Sequence, residues 1–313
     1  MEKTVITDNK ASQRNLVIIR KWRLLLCALL IVLLVTGWAA LPAVRAITLI
    51  ANTDHRSTPA ASSAGLPVQE VHFQATDGVH LAGWLVIASA QAPTVILVHG
   101  FKGSRVDMLP WARFLYAAGY NVLLYDSRGC GESEGWGIAL GAREPEDVLG
   151  AVQYLKARPD PTTKRFGVLG VSLGAGVALL AAAREPLIAA TVADSAWTDE
   201  SPQIDHMRAI GPLPVLPYEP ALVDTMIGAR LADTRPLAVI SQIAPRAVLL
   251  IHSADDANTT TPLVGEQQLY AAAGNPKEQW IAPHGGHVGA INAYKDEYEQ
   301  RVLNFLGQYL KSL

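Results

Sequence analysis

The sequence predicts an α/β domain, a mostly parallel eight-stranded sheet flanked by helices, with a short cap insertion and an N-terminal transmembrane helix. Three observations point there. Short apolar runs alternate with helical patterns from about residue 67 onward, a Gly-x-Ser-x-Gly pentapeptide sits where one run meets a helix, and residues 24–44 carry no charge.

The strand candidates are 71–76, 81–88, 94–100, 121–126, 166–172, 189–195, 246–253 and 278–283. Runs such as VILV, VLLY and VLLI are apolar without alternation, the pattern of strands covered on both faces by crossover helices. Helical patterns fall near 107–118, 146–157, 174–184, 262–273 and 290–311. In the second of these, Val148, Val152 and Leu155 share one face at i, i+4 and i+7. The first two strands flank a turn-like Asp77-Gly78 and read as an antiparallel edge hairpin. Residues 197–243 break the alternation with a proline-rich stretch and a helical ALVDTMIGARLAD, which reads as a small cap. Its Leu213, Val215, Leu216, Leu222, Met226, Ile227 and Leu231 suit either an acyl pocket or a cover for the core.

Residues 24–44 are long enough, at about 1.5 Å per residue, to cross a hydrocarbon core of roughly 30 Å. The preceding 23 residues hold Lys3, Lys10, Arg14, Arg20, Lys21 and Arg23 against Glu2 and Asp8. Residues 45–60 hold only Arg45 and Arg56 against Asp54. This asymmetry predicts a single pass with residues 1–23 as a cytoplasmic tail and the domain outside. Residues 45–66 then form a linker, and 67–313 the folded domain. The alternative is a signal peptide cut after Ala46, releasing a secreted domain. An apolar run longer than about 15 residues, and Arg45 beside the cut, favour the anchor. Cys27 and Cys130 are the only cysteines, so no disulfide framework is expected. A net charge of −2, with no basic tract in the soluble part, excludes nucleic-acid binding as the main task.

The pentapeptide is Gly170-Val171-Ser172-Leu173-Gly174, preceded by an apolar run and followed by the small-residue helix pattern GAGVALLAAA. A tight strand-to-helix turn lifts the Ser172 hydroxyl above the sheet and aims it at a helix N-terminus. There the Leu173 amide is placed to stabilise a developing oxyanion. In this context the chain resembles the α/β-hydrolase superfamily, in its serine esterase, lipase and peptidase-like branch, over residues 67–313. His99-Gly100-Phe101-Lys102-Gly103 after a strand is similar to the family's oxyanion loop, and the resemblance makes the Phe101 amide the second donor. Asp126-Ser127-Arg128-Gly129-Cys130-Gly131-Glu132-Ser133 is similar to its D-x-R-G-x-G-x-S turn. Gly129, Gly131 and Gly135 are spaced one residue too long for a dinucleotide loop, so no cofactor is implied.

A serine hydroxyl needs a base, and the base needs an orienting acid. In this fold the chain order is serine, acid, histidine. His252-Ser253-Ala254-Asp255-Asp256 follows a strand, and its likeness to the family's H-G-x-x-D segment selects Asp256 over Asp255. Gly285-Gly286-His287 precedes the last helix and selects His287, with His284 as the competitor that helps position the loop. His99 and His252 at strand ends suit backbone hydrogen bonding, and His206 belongs to the cap. Asp194-Ser195 reads as a structural strand-end turn, while Glu144 and Asp147 suit the dipole of a helix's first turn. The histidine spacing offers no metal site.

The function these readings predict is hydrolysis of an ester-type bond, in a carboxylic ester or a lipid-like acyl compound, through an acyl-enzyme on Ser172. The partners expected are a small acyl-containing substrate and a membrane. Peptides and thioesters use the same triad. A non-catalytic binding module on this fold, or a membrane scaffold, is the rival class, and it predicts no reaction with serine-directed probes. The sequence sets no oligomeric state.

Overall fold

Five consecutive strands have every residue buried: β3 (Thr94–Val98), β4 (Asn121–Tyr125), β5 (Phe166–Val171), β6 (Ile188–Asp194) and β7 (Ala247–Ser253). Their predominantly apolar sequence permits this, with Thr94, Asn121, Thr191, Asp194, His252 and Ser253 as the buried polar residues among them. The computed structural model describes residues 2–52, 61–160, 165–199 and 218–311. With β1 (Val68–Gln74), β2 (His80–Val86) and β8 (Lys277–Ala282), the sheet has eight strands in the order β1-β2-β4-β3-β5-β6-β7-β8. β1 pairs antiparallel with β2, and β2 with β4. All other pairs are parallel. The α/β-hydrolase architecture expected from the sequence is therefore the one observed.

Helices α2 (Leu109–Ala117), α3 (Glu144–Ala157), α4 (Leu173–Arg184), α5 (Glu219–Ile227), α6 (Leu263–Ala272) and α7 (Lys295–Leu306) surround the sheet. On one face Trp111 and Leu115 of α2 pack with Tyr298, Val302 and Phe305 of α7. On the other face Val148, Val152 and Leu155 of α3 pack with Val177 and Ala178 of α4. Each such large side chain contributes about 1.5–3 kcal/mol through burial. The strand order reverses around β3, which lies between β4 and β5. At that reversal the loops after β3 and β5 diverge over the carboxyl ends of the strands and leave a crevice.

The N-terminal helix departs from the expected boundaries. It runs unbroken from Glu2 to Ile50 as α1, so residues 45–50 are helix rather than linker. Leu16–Ile50 contains a window long and apolar enough to cross a membrane, and that window is wholly exposed. Beyond it Pro42, Arg45, Ala46, Leu49 and Ile50 are buried. Their i, i+3, i+4, i+7, i+8 spacing makes one stripe, and the stripe packs on the domain. Ala46, Leu49 and Ile50 meet Cys130, Ile138, Leu140, Val223 and Leu231. Arg45, fully buried, places Nη1 3.1 and 3.4 Å from the two carboxylate oxygens of Glu219. The helix is held past Val44 because its partners lie on the domain, out of reach of local periodicity. Linker residues 53–60 lie outside the described residues.

Of the cap, residues 200–217, with His206, Leu213, Val215 and Leu216, lie outside the described residues. In α5 and after it, Leu222, Val223, Met226, Ile227 and Leu231 pack with the end of α1. The ALVDTMIGARLAD segment thus covers the docked helix, and its apolar residues do not line the cavity described below.

Removing one member of a buried ion pair leaves the other's charge less well compensated away from water. Arg45→Met or Glu219→Leu alone should destabilise the protein by about 3–5 kcal/mol, whereas the double R45M/E219L variant should recover most of the loss. Thermal unfolding in detergent micelles measures both.

Candidate active site

Ser172 stands between the end of β5 and the start of α4 with φ 54° and ψ −120°. A non-glycine residue at positive φ is strained and persists only where its surroundings enforce it. Two glycines do so here. A β-carbon at Gly174 would run into the carbonyl oxygens of Val98 and His99, and one at Gly170 into the carbonyl of Gly174. α4 therefore passes close enough to β3 and β5 to leave the Ser172 side chain above the sheet.

Across the crevice the segment 285–288 folds in, with Gly285, Gly286 and Val288 at positive φ. His287 Nε2 lies 2.8 Å from Ser172 Oγ, and His287 Nδ1 lies 2.9 Å from Asp256 Oδ2. The carboxylate accepts at Nδ1, so Nδ1 carries the proton and Nε2 is free to accept from the hydroxyl. The Asp256 side chain is fully buried. Burial alone would raise its pKa, but the hydrogen bonds from His287 and from the Asn258 amide at 2.8 Å outweigh it and hold the carboxyl below its ordinary value. Asp255 has a different role, because its carboxylate accepts the Gly286 amide at 2.9 Å and ties down the histidine loop. Thr261 Oγ1 also approaches His287 Nδ1, at 3.2 Å.

Phe101 and Leu173 both line the same cavity, of about 410 Å³, with Ser172 and His287 at its floor. Leu173 is the first residue of α4, so its N–H has no acceptor within the helix. The loop after β3 passes directly beside the serine, since a β-carbon at Gly100 would stand 3.4 Å from Ser172 Cβ. Met108, Trp111, Leu140 and Trp197 give the cavity apolar walls.

The D-x-R-G-x-G-x-S turn braces this loop rather than lining the cavity. Asp126 accepts the amides of Arg105 at 2.7 Å and Glu132 at 2.9 Å, and Arg128 forks onto Asp77 and Asp147. Glu144 accepts the amides of Ala139 and Gly141, so both acids at the start of α3 are structural. His99 donates from Nδ1 to its neighbour's carbonyl at 2.8 Å and accepts the Ser127 amide at 3.0 Å. Burial lowers its pKa. His284 contacts the hydroxyl of Tyr294. His252 is buried, with Nε2 3.6 Å from Asp256. Among the described residues no group of three or more His, Cys, Asp or Glu is placed to hold a metal ion.

One support escaped sequence reasoning. Ser195, at φ 59°, donates to Asp194 at 2.9 Å and accepts the Val288 amide at 3.3 Å. Asp194 in turn accepts the hydroxyl of Tyr298 at 2.9 Å, and that hydroxyl accepts from Trp111 Nε1. The chain of bonds fixes the residue after His287 to the core. The Asp-Ser pair at a strand end was its only signal in the sequence.

A parallel-sheet domain with a cavity over its strand ends, a serine on a strained turn and a histidine loop above it defines the class, a hydrolase of the α/β fold. Comparison with known proteins gives the family. Residues 51–214 match the X-Pro dipeptidyl-peptidase (S15) family, and the chain belongs to it. The uncharacterized protein YqkD of Bacillus subtilis is 30% identical over 237 residues, covering 73% of this chain and 76% of that protein. The uncharacterized protein YfhR of Salmonella typhi is 29% identical over 255 residues, covering 76% and 81%. The solved structure of the Pyrococcus furiosus esterase Pf2001 superposes with a TM-score of 0.67 at 27% identity, over 81% of this chain and 95% of that one.

Burial pushes the Glu266 carboxyl up to about 8 from 4.5, and Asp194 up to about 6 from 3.8. Both groups bind protons more tightly folded than unfolded, so stability is fully present in acid and falls as pH rises through these values. Replacing Glu266 with glutamine removes the larger contribution. The variant should gain several degrees in Tm over the wild type at pH 8, and little or nothing at pH 4, in parallel thermal scans.

Proposed function

We propose that the protein is a serine hydrolase that cleaves a carboxylic ester or lipid-like acyl bond through an acyl-enzyme on Ser172. The observation that carries this reading is the continuous relay from Ser172 Oγ through His287 to Asp256, with both links within 2.9 Å. Ser172 Oγ attacks the carbonyl carbon while its proton passes to His287 Nε2. Asp256, kept ionised by its own hydrogen bonds, stabilises the imidazolium without taking the proton. The Leu173 and Phe101 amides receive the negative charge on the carbonyl oxygen, each such donor typically worth about 3 kcal/mol of barrier. His287 returns the proton to the departing alkoxide. Water, deprotonated by the same imidazole, then releases the acid and restores the serine.

The apolar walls formed by Met108, Trp111, Leu140 and Trp197 favour an acyl group. Peptide cleavage is the second reading, and the family's name supports it. A dipeptidyl peptidase must hold a free ammonium, and among the described residues the acid lining this cavity is Asp107, whose carboxylate already accepts the Ser104 amide at 2.9 Å. That favours esters. We further propose that α1 is an uncleaved membrane anchor with its basic end in the cytoplasm, because Arg45 and Ala46, where a signal peptide would be cut, are buried against the domain.

Ser172→Ala should abolish both hydrolysis of p-nitrophenyl butyrate and labelling by a fluorophosphonate, and full labelling of that variant would exclude the assignment. Release of p-nitroaniline from Gly-Pro-p-nitroanilide at a higher kcat/KM than the ester would move the reading to the peptidase.

The two aspartates separate in the same assay. Asp256→Asn should lower kcat by roughly 10³–10⁴, the effect of losing the acid that sets the histidine tautomer. Asp255→Asn removes only a loop tether and should leave kcat within about tenfold. The reverse pattern would transfer the role to Asp255.

A further inference from the structure

Among the described residues outside α1, four large apolar side chains stand exposed: Phe101, Trp136, Tyr218 and Val264. Single exposed apolar residues are ordinary, but contiguous ones mark an interaction surface. Three of these four adjoin the docked end of α1. The Trp136 carbonyl accepts the Asn52 amide at 3.4 Å. Tyr218 precedes Glu219, the partner of Arg45. Phe101 precedes Lys102, whose Nζ donates to the Thr48 carbonyl at 2.9 Å. These three exposed aromatic residues thus sit next to the place where the long apolar helix joins the domain, and we call them its collar.

The helix does not turn polar before it reaches that collar. Val44 and Ile47, off the docked stripe, are 54% and 49% exposed. Tryptophan and tyrosine are the residues enriched where apolar helices leave a bilayer, since their rings suit the headgroup level. Lys102 is compatible with the same depth, its ammonium standing 5.4 Å from the centre of the Phe101 ring while it donates to the Thr48 carbonyl.

The collar is continuous with the cavity. Phe101 belongs to both. Leu140 lines the cavity on one side and packs with Ala46, Leu49 and Ile50 on the other, and Leu173 joins the same cluster. An acyl chain leaving a bilayer at the collar would reach Ser172 along apolar side chains.

We propose that the collar of Phe101, Trp136 and Tyr218 rests in the lipid interface, and that the cavity draws its substrate from the bilayer, an amphiphile with a long acyl chain and an ester at headgroup depth. The proposal rests on the reading of Ser172 as nucleophile.

The test uses the full chain in phosphatidylcholine vesicles with two substrates, p-nitrophenyl butyrate in the aqueous phase and p-nitrophenyl palmitate dissolved in the bilayer. The W136Q/Y218Q variant removes two collar rings that lie outside the cavity lining. It should lose about fivefold or more on the palmitate and less than about twofold on the butyrate, a discrimination of about 2.5-fold or more, roughly 0.5 kcal/mol. Equal loss on both substrates, or on neither, overturns the proposal. A nitroxide on Trp136→Cys, in a Cys27→Ser background where the remaining Cys130 is buried, gives a readout independent of catalysis. It should be relaxed more by oxygen than by a water-soluble nickel chelate, and the opposite order overturns the collar. Wild type that takes a fluorophosphonate and cleaves butyrate but not palmitate overturns this inference alone. Wild type that does neither overturns the nucleophile reading, and this inference with it.

Discussion

The close passage of α4 over the ends of β3 and β5 is the constraint on which the rest of the molecule depends. It exists because Gly170 and Gly174 present no side chain where two backbones meet. With that approach fixed, Ser172 is forced to positive φ, its hydroxyl faces the crevice, and the helix N-terminus lies beneath the cavity. The strain is borne by a sheet whose five middle strands are buried throughout, so the surroundings cannot relax to relieve it.

The histidine side of the cavity is built on the opposite plan. Its loop contains three residues at positive φ and has no secondary structure of its own, so it is tied down by scattered hydrogen bonds. Asp255 holds the Gly286 amide, and Ser195 holds the Val288 amide while Asp194 and Tyr298 secure Ser195. Imidazole orientation is then set from both sides of residue 287. A rigid turn supplies the hydroxyl and a tethered loop brings the ring to it, which suits the proton shuttle proposed for His287.

Much of this was legible in the sequence, for reasons that differ by element. The inner strands were readable because burial on both faces leaves a contiguous apolar signature. The serine turn was readable because its whole geometry is written in five neighbouring residues. The adjacent aspartates were harder, since composition cannot say which way each carboxylate points. The backbone turn sends one to His287 and the other to Gly286. The docked end of α1 was not legible as such, because Arg45 meets Glu219 across 174 positions of chain. An arginine at the end of an apolar run looks like a flanking charge until its partner is seen. The Ser195 tether was hidden likewise, for its value lies in an amide 93 positions away.

The unbroken helix from Glu2 to Ile50 would make the proposed anchor a ruler as well as a tether. Each residue advances it by about 1.5 Å and turns it by about 100°. Deleting one residue between Trp38 and Pro42 would therefore rotate everything upstream by about a quarter turn relative to the docked stripe, and shorten the reach by one step. A flexible stalk would absorb such a change. If α1 spans a bilayer as proposed, the height and heading of the cavity mouth are set by the count of residues below it, and the length of the apolar segment is coupled to where the domain can work.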